Sequence, residues 1–341
     1  MNIAAIDIGT NTLRLLIGRV NNGRIARVAS DRAVTRLGKD LMKTGVLSAD
    51  SIDKSLKALG SFKTTCDKHN VSKIIAVGTS ALREAKNSLD FIDAVKRGTG
   101  IEIEIISGER EAELTVKGVT AGFEDKKRPD AFFIIDIGGG STEWIIYKGS
   151  NQLSAVSGQK QNKKTGFHSS LLTHHSSLLL MGSIPVGAVK LFETFIKHDP
   201  PAPAELDECR DFIHSKISAA FDSSLLLGPL DPSLSLIATG GTPTTVAAID
   251  LGLDKYDGDR IHMHKISATV LTTIFNRLVS LPQEERSKVK GLGPERSDII
   301  IPGVLVLMAL MEYLKIRETV ISDYGLLEGL LCYNLNSEKG F

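Results

Sequence analysis

Residues 134–144 read IIDIGGGSTEW, and residues 5–13 read AIDIGTNTL. Each stretch is an apolar strand that reaches Asp-Ile-Gly and then turns back through small hydroxyl or amide residues, with Asp7 and Asp136 at the same place in the two copies. Glycine in such a turn allows close backbone approach, so several N–H groups gather into a nest that suits phosphate oxygens. GTNT (9–12) and GGGST (138–142) both fit. TGGTPTT (239–245) is a third such turn, with Gly240 and Gly241 closing a strand and opening a helix whose N-terminus favours anions. A single glycine turn is more often only a turn. Three of them, two beside equivalent aspartates, point to a polyanionic ligand. No GxxxxGK[ST] phosphate loop and no GxGxxG dinucleotide fingerprint is present.

The carboxylates beside these turns need a reason. Asp7 and Asp136 end apolar strands, where an ionised group is costly unless it is paired, hydrogen-bonded or metal-bound. They either cap turn amides or hold a hydrated Mg²⁺ that bridges phosphates. Glu143 follows Asp136 on the returning strand and can point to the same place. SGEREAEL (107–114) sets Glu109, Glu111 and Glu113 at the start of a helix, where acidic residues also simply complement the dipole. Arg83, in GTSALREAKN (78–87), is a planar donor matched to phosphate, although its spacing alone equally suits a surface arginine.

The rest of the chain gives these turns a setting. Its 341 residues fit two domains, taking roughly 150 residues for each. With 41 basic and 40 acidic side chains there is no global field to draw nucleic acid or an anionic membrane, so neither is an expected partner. Cys66, Cys209 and Cys332 lie far apart without a CxxC pair, which argues for a reducing compartment, the cytoplasm, and against structural zinc. The N-terminus lacks the layout of a signal peptide. IIIPGVLVLMALM (299–311) is shorter than the ~20 residues a membrane span needs and reads as a buried helix.

Hydrophobic periodicity places strands at IAAIDI, LRLLIGRV, KIIAVGT and IEIEII, with a helix capped by Ser48 and another opened by Asn87 and closed by Gly98. Strands alternating with helices predict an α/β architecture with largely parallel pairing. The pattern restarts at AFFIIDIGGGSTEWIIYKG, then helices dominate (186–198, 205–227, 242–250, 266–279, 295–314) around the strand LSLIATGG. The seam falls in 123–130, giving lobes 1–125 and 126–323, with a C-terminal helix at about 324–341 expected to pack on the first lobe. The segment 149–182 is polar and lacks a sustained period, so it reads mostly as a surface loop. Its His168, His174 and His175 are better taken as solvated than as a metal site.

The ordered set DIGTNTLRLLI, GTSALREAKN, ISGEREAEL, IDIGGGSTEW, IPVGAVKL, TGGTPTTVAAIDLGL, GLGPERSDIIIPG and SDYGLLEGL resembles the exopolyphosphatase and guanosine pentaphosphate phosphohydrolase (Ppx/GppA) family. The likeness runs from about residue 3 to residue 331 and is to the short bacterial form, without the added C-terminal helical domain of longer members. It implies a duplicated ribonuclease-H-like fold, shared with actin and the sugar kinases, whose two lobes flank a phosphate-binding cleft. It also implies a homodimer.

Carried over residue by residue, the resemblance makes Glu111 the base that activates water and Arg83 the grip on the terminal phosphate. Asp136 and Glu143 position metal and water, and Asp7 joins them as a metal ligand for Mg²⁺ or Mn²⁺. Phosphate contacts fall on Asn11, Thr12, Gly138, Gly139, Gly140, Ser141, Lys190, Gly240, Gly241 and Thr242. Two departures stand out: the segment before IPVGAVKL is longer than usual, and Leu327 replaces a common arginine, which leaves the role of Glu328 open. The expected reaction is hydrolysis of the terminal phosphoanhydride of inorganic polyphosphate, with guanosine pentaphosphate (pppGpp) as the alternative substrate. A kinase on the same fold and a non-catalytic, actin-like polyphosphate or nucleotide sensor are the competing classes.

Overall fold

The computed structural model describes residues 1–21, 24–123, 129, 131–148, 169–174, 177–222 and 234–337. The chain divides into two compact units, Met1–Glu124 with Tyr324–Phe341, and Asp125–Asp323. Unit 1 begins with an antiparallel hairpin of β1 (Asn2–Ile8) and β2 (Thr12–Asn21), to which β3 (Arg24–Val34) adds antiparallel. After α1 (Leu41–Thr44) and α2 (Ala49–Lys68), β4 (Val71–Gly78) returns parallel to β1. Then come α3 (Ser80–Glu84), α4 (Ser88–Thr99), the short β5 (Ile103–Ile105) parallel to β4, and α5 (Gly108–Ala121). The sheet order is β3-β2-β1-β4-β5.

Unit 2 repeats the plan. β6 (Ala131–Ile137) and β7 (Thr142–Lys148) form the hairpin, extended by β8 (Ser169–His174) and β9 (Ser177–Ile184). There follow α6 (Ala188–Phe195), α7 (Pro203–Asp222), β10 (Ser235–Thr239), α8 (Gly241–Asp250) and α9 (Gly258–Ile261). The unit closes with β11 (Lys265–Ser267), α10 (Ala268–Val279), α11 (Gln283–Arg286), α12 (Ile300–Tyr313) and β12 (Glu318–Ile321). Its order is β11-β12-β10-β6-β7-β9-β8. With the outer β8 and β11 set aside, the succession β9-β7-β6-β10-β12 matches unit 1 strand for strand, two antiparallel pairs followed by two parallel ones. This is a duplicated α/β fold of the ribonuclease-H type. The pairing is mixed rather than largely parallel, because each copy opens with hairpins too short for crossover helices.

Local sequence explains the elements. β1 and β6 are central strands covered on both sides, hence their near-continuous apolar runs. Ser48 caps α2 by accepting from Ser51 N at 3.2 Å, and Ser107 caps α5 by accepting from Arg110 N at 3.2 Å. The Asn87 side chain instead bonds both backbone groups of Leu47, and α4 runs on through Gly98 to end at the left-handed Gly100. α12 is buried on almost every face, as its composition requires, and among the described residues no helix is long and apolar enough to cross a membrane.

Alternation along β1 sends Ala4, Ile6 and Ile8 into one core layer with Leu59 and Phe62 of α2. It sends Ile3 and Ala5 into the other with Leu114 of α5. The second layer is completed by α13 (Leu326–Ser337), which brings Leu326, Leu330 and Leu331, while Leu327 packs at its margin. Glu328, whose role the sequence left open, accepts from Gly325 N at 2.9 Å and pairs with Arg27 of β3 at 2.7 Å.

Part of 149–182 departs from the loop reading: 169–174 and 177–184 are β8 and β9, the outer hairpin of the unit 2 sheet. His174 ends β8, whereas 149–168, with His168, and His175 lie outside the described residues. So does most of the 123–130 seam.

Candidate active site

In unit 1 the polar residues collect where the parallel strands β1, β4 and β5 end, the usual ligand edge of an open α/β sheet. The β1–β2 turn is closed by Gly9 N donating to Thr12 O at 3.3 Å. Its carbonyls are held from outside: Asn11 O accepts from Thr35 N and Arg36 N at 3.1 and 2.9 Å, and Thr10 O from Gly38 N at 2.8 Å. Asn11 and Thr12 are buried, with Asn11 Nδ2 3.3 Å from Thr12 Oγ1.

Asp7 shares the α5 side of the sheet with Ile3 and Ala5 and is registered directly opposite Arg14 on β2. Arg14 donates to Asp7 Oδ2 through Nη2 at 2.6 Å and Nε at 3.0 Å, while the buried Oδ1 has no hydrogen-bond partner.

Arg83 on α3 and Glu111 in the first turn of α5 meet in an ion pair, Nη1 to Oε2 at 2.7 Å. The same Nη1 donates to Ile106 O at 3.0 Å, which fixes the guanidinium across the end of β5. The Glu111 side chain is 12% exposed and that of Arg83 23%, so both remain open to a ligand from one side.

Unit 2 has the same edge. Gly138 N donates to Ser141 O at 3.0 Å, the counterpart of the Gly9–Thr12 bond. Here α6 does the holding: Ala188 N donates to Gly138 O at 3.0 Å, and Val189 N and Lys190 N to Gly139 O at 2.9 and 3.2 Å. Lys190 thus enters the site region through its backbone, at the foot of the Gly138–Gly140 turn.

Asp136 is registered opposite Glu143 across β6 and β7, so two carboxylates stand side by side on one face, 9% and 2% exposed. Glu143 Oε1 accepts from Ser141 Oγ at 2.7 Å and from Ser183 Oγ, on β9, at 3.0 Å.

The third turn adjoins this pair. Thr239 is registered with Asp136 across β10 and β6. Gly240 has φ +93, open to glycine but strained for other residues, and a Cβ there would fall 2.8 Å from Ile137 O and closer still to Asp136 Oδ1. Thr242, Thr244 and Thr245 line the buried start of α8. The guanidinium of Arg296 lies over Gly241, where a Cβ would meet its Cζ and Nη2 at 2.7 Å. Its 3-10 turn (Pro294–Arg296) is anchored by the buried Arg286, which donates to Ser297 O at 2.7 Å and Leu278 O at 3.0 Å. The Tyr256 hydroxyl donates to Asp323, just past β12.

The predicted residues therefore group by unit: Asp7, Asn11, Thr12, Arg83 and Glu111 in unit 1, and Asp136, Gly138–Ser141, Glu143, Lys190 and Gly240–Thr242 in unit 2. Sequence reasoning missed Arg14, Ser183 and Arg296. Arg14 was readable, since it follows Asp7 at the spacing by which Glu143 follows Asp136. Ser183 comes from a distant segment and carries no local signal; Arg296 lies within GLGPERSDIIIPG, but only the fold sets it over Gly241.

Among the described residues no three His, Cys, Asp or Glu side chains gather as a metal-holding group. The Asp136–Glu143 pair nonetheless fits a hard divalent cation, because Mg²⁺ keeps several waters and commonly takes one or two carboxylates beside substrate phosphates. Asp7 differs, with one oxygen already given to Arg14 and only Oδ1 open to a cation.

Residues 16–338 match the model of the Ppx/GppA phosphatase family. The chain is 26% identical over 343 residues to exopolyphosphatase 2 of Mycobacterium tuberculosis, covering 96% of this chain and 97% of that protein. It is 28% identical to a bifunctional 3-dehydroquinate synthase/phosphatase of Fusobacterium nucleatum, across 96% of this chain but 46% of that longer protein. Among solved structures, the Aquifex aeolicus Ppx/GppA family member superposes with a TM-score of 0.74 at 28% identity, covering 100% of this chain and 99% of that one.

Proposed function

Because the chain belongs to the Ppx/GppA phosphatase family, we propose that it hydrolyses the terminal phosphoanhydride of inorganic polyphosphate and releases orthophosphate. The observation that carries this reading is the 2.7 Å Arg83–Glu111 pair at the strand-end edge of unit 1, a phosphate-type donor beside a carboxylate able to take a proton. Free thiols, two of them buried (Cys66 and Cys209), suit the cytoplasm as its location.

Arg83 grips the terminal phosphoryl oxygens, which draws the guanidinium from Glu111 and frees that carboxylate to orient a water. The water oxygen bonds to the terminal phosphorus as the bond to the bridging oxygen breaks. Its proton goes to Glu111, and the shortened chain leaves with the bridging oxygen. The turn amides of Gly138–Ser141 and Gly240–Thr242, and those of Asn11 and Thr12, bind phosphate oxygens; Lys190 adds positive charge. A divalent cation, Mg²⁺ or Mn²⁺, held by Asp136 and Glu143, would supply neutralisation of phosphate charge. Positioning and charge neutralisation dominate such phosphoryl transfers.

The test is phosphate release from short polyphosphate, long polyphosphate and pppGpp, measured in parallel with Mg²⁺ on wild type and Glu111→Gln. Release from polyphosphate that falls roughly 10²–10⁴-fold in the variant is the expected result. Faster release from pppGpp assigns the nucleotide as substrate, and near-wild-type turnover by Glu111→Gln removes it as the base.

A further inference from the structure

We infer that Ser183 is a positioning residue for Glu143, and that through it the outer β8–β9 hairpin sets the geometry of the acidic pair. Ser183 lies on β9, directly opposite Glu143 in the β7–β9 register. Its Oγ donates to Glu143 Oε1 at 3.0 Å, and Ser141 Oγ donates to that same oxygen at 2.7 Å. The two donors arrive from different directions: Ser141 from the glycine turn just before the strand, Ser183 from a neighbouring strand forty residues beyond Glu143. A carboxylate gripped at one oxygen by two hydroxyls keeps a single rotamer. That fixes where Glu143 stands, 2% exposed and registered against a second carboxylate, Asp136. Thr142 secures the same strand from the other side, its hydroxyl donating to Val186 O at 2.6 Å just beyond β9. The β7–β9 seam thus sets where Glu143 stands, and Ser183 carries a side-chain contact from β9 to the acidic pair.

This inference rests on the reading that Asp136 and Glu143 hold a divalent cation, and the experiment separates the two. Mn²⁺ binding to the substrate-free protein is measured by calorimetry, and phosphate release is titrated with Mg²⁺, for Ser183→Ala, Ser183→Cys, Ser183→Thr and Glu143→Gln. One of two donors to a charged oxygen is lost in Ser183→Ala, so Mn²⁺ affinity and the Mg²⁺ requirement should each worsen about tenfold. Ser183→Cys, similar in size but a weak donor, should behave like Ser183→Ala; Ser183→Thr, which keeps the hydroxyl, should recover wild-type behaviour. Melting temperatures shared by all four proteins and wild type make the change one of positioning. Wild-type Mn²⁺ affinity in Ser183→Ala, or in Ser183→Cys should the alanine variant not fold, overturns the role of Ser183. Wild-type affinity in Glu143→Gln overturns the cation reading itself, whatever Ser183 does.

Discussion

Replacing Gly118 by alanine should loosen the seat of α5 and, with it, Glu111. Gly118 faces α13, and a Cβ there would lie 2.7 Å from Gly325 C and 2.9 Å from Gly329 N, and closer still to Gly325 O. Gly329 is the reciprocal case, its Cβ falling 2.6 Å from Leu114 C. All of these neighbours are backbone and cannot rotate away, so the overpacking cost belongs near the top of the usual range, ~3 kcal/mol. Against this stands the gain from removing a mid-helix glycine, ~1 kcal/mol. Undocking α13 altogether would expose Leu326, Leu330 and Leu331 at ~1.5–3 kcal/mol each, which exceeds the strain, so the helices should stay packed and shift.

The net loss of ~2 kcal/mol corresponds to a melting temperature lower by ~4–8 °C. Glu111 sits two turns before Gly118 on the same helix, and displacement on the order of 1 Å at a reacting group can lower turnover by up to ~10²-fold. The control is Gly98→Ala in α4, where a Cβ meets nothing within 4 Å, so only the propensity gain of ~1 kcal/mol remains and the protein should melt higher. Calorimetry and phosphate release on both variants decide the matter. A Gly118→Ala protein that melts at or above wild type, alongside Gly98→Ala, refutes the reasoning.

Arg83→Lys keeps the charge but loses the planar fork, so kcat/KM for polyphosphate should fall ~10–10²-fold. Stability should change by under ~1 kcal/mol, because the Arg83–Glu111 pair is partly exposed; urea melts and steady-state kinetics check both. Burial raises the Glu205 carboxyl, but the His198 side chain and the N–H groups of Ala202, Lys197 and His198 outweigh it and bring it from 4.5 to about 2. A depressed folded value means stability present above the unfolded value and lost as pH falls, so Glu205→Gln should melt lower at neutral pH. That gap should close between pH 4.5 and about 2, as followed by circular dichroism. Burial pushes the Cys66, Cys209 and Cys332 thiols up to about 11, 12 and 11, so a thiol reagent at neutral pH should label the native protein slowly and all three sites after denaturation.

The repeated hairpins were legible because central strands need apolar residues on both faces and their turns need glycine. The Ser48 and Ser107 caps were legible because a side chain states them locally. β3 was not: RIARVASDRAV alternates charged and small residues because one face of an edge strand is solvated, and it lacks the β-branched run that marks β1. β12 is four residues long and hides between helices. At the site, Glu111 and Arg83 were readable as types, but their pairing depends on β4 and β5 lying side by side. Ser183 and Arg296 reach their places by topology alone.

The return of α13 has a consequence for how the protein is made. One face of the β1–β2–β4 sheet, at Ile3, Ala5 and Leu16, meets Leu114 of α5 but stays incompletely covered until Leu326, Leu330 and Leu331 arrive, more than three hundred residues later. On the ribosome, then, the first unit to emerge is the last to be completed. Unit 2, whose core draws only on its own residues, can close while unit 1 still waits. An interrupted chain would carry Glu111 on a helix that lacks its α13 partner, so synthesis itself leaves the seat of α5 unfinished until translation has passed α13.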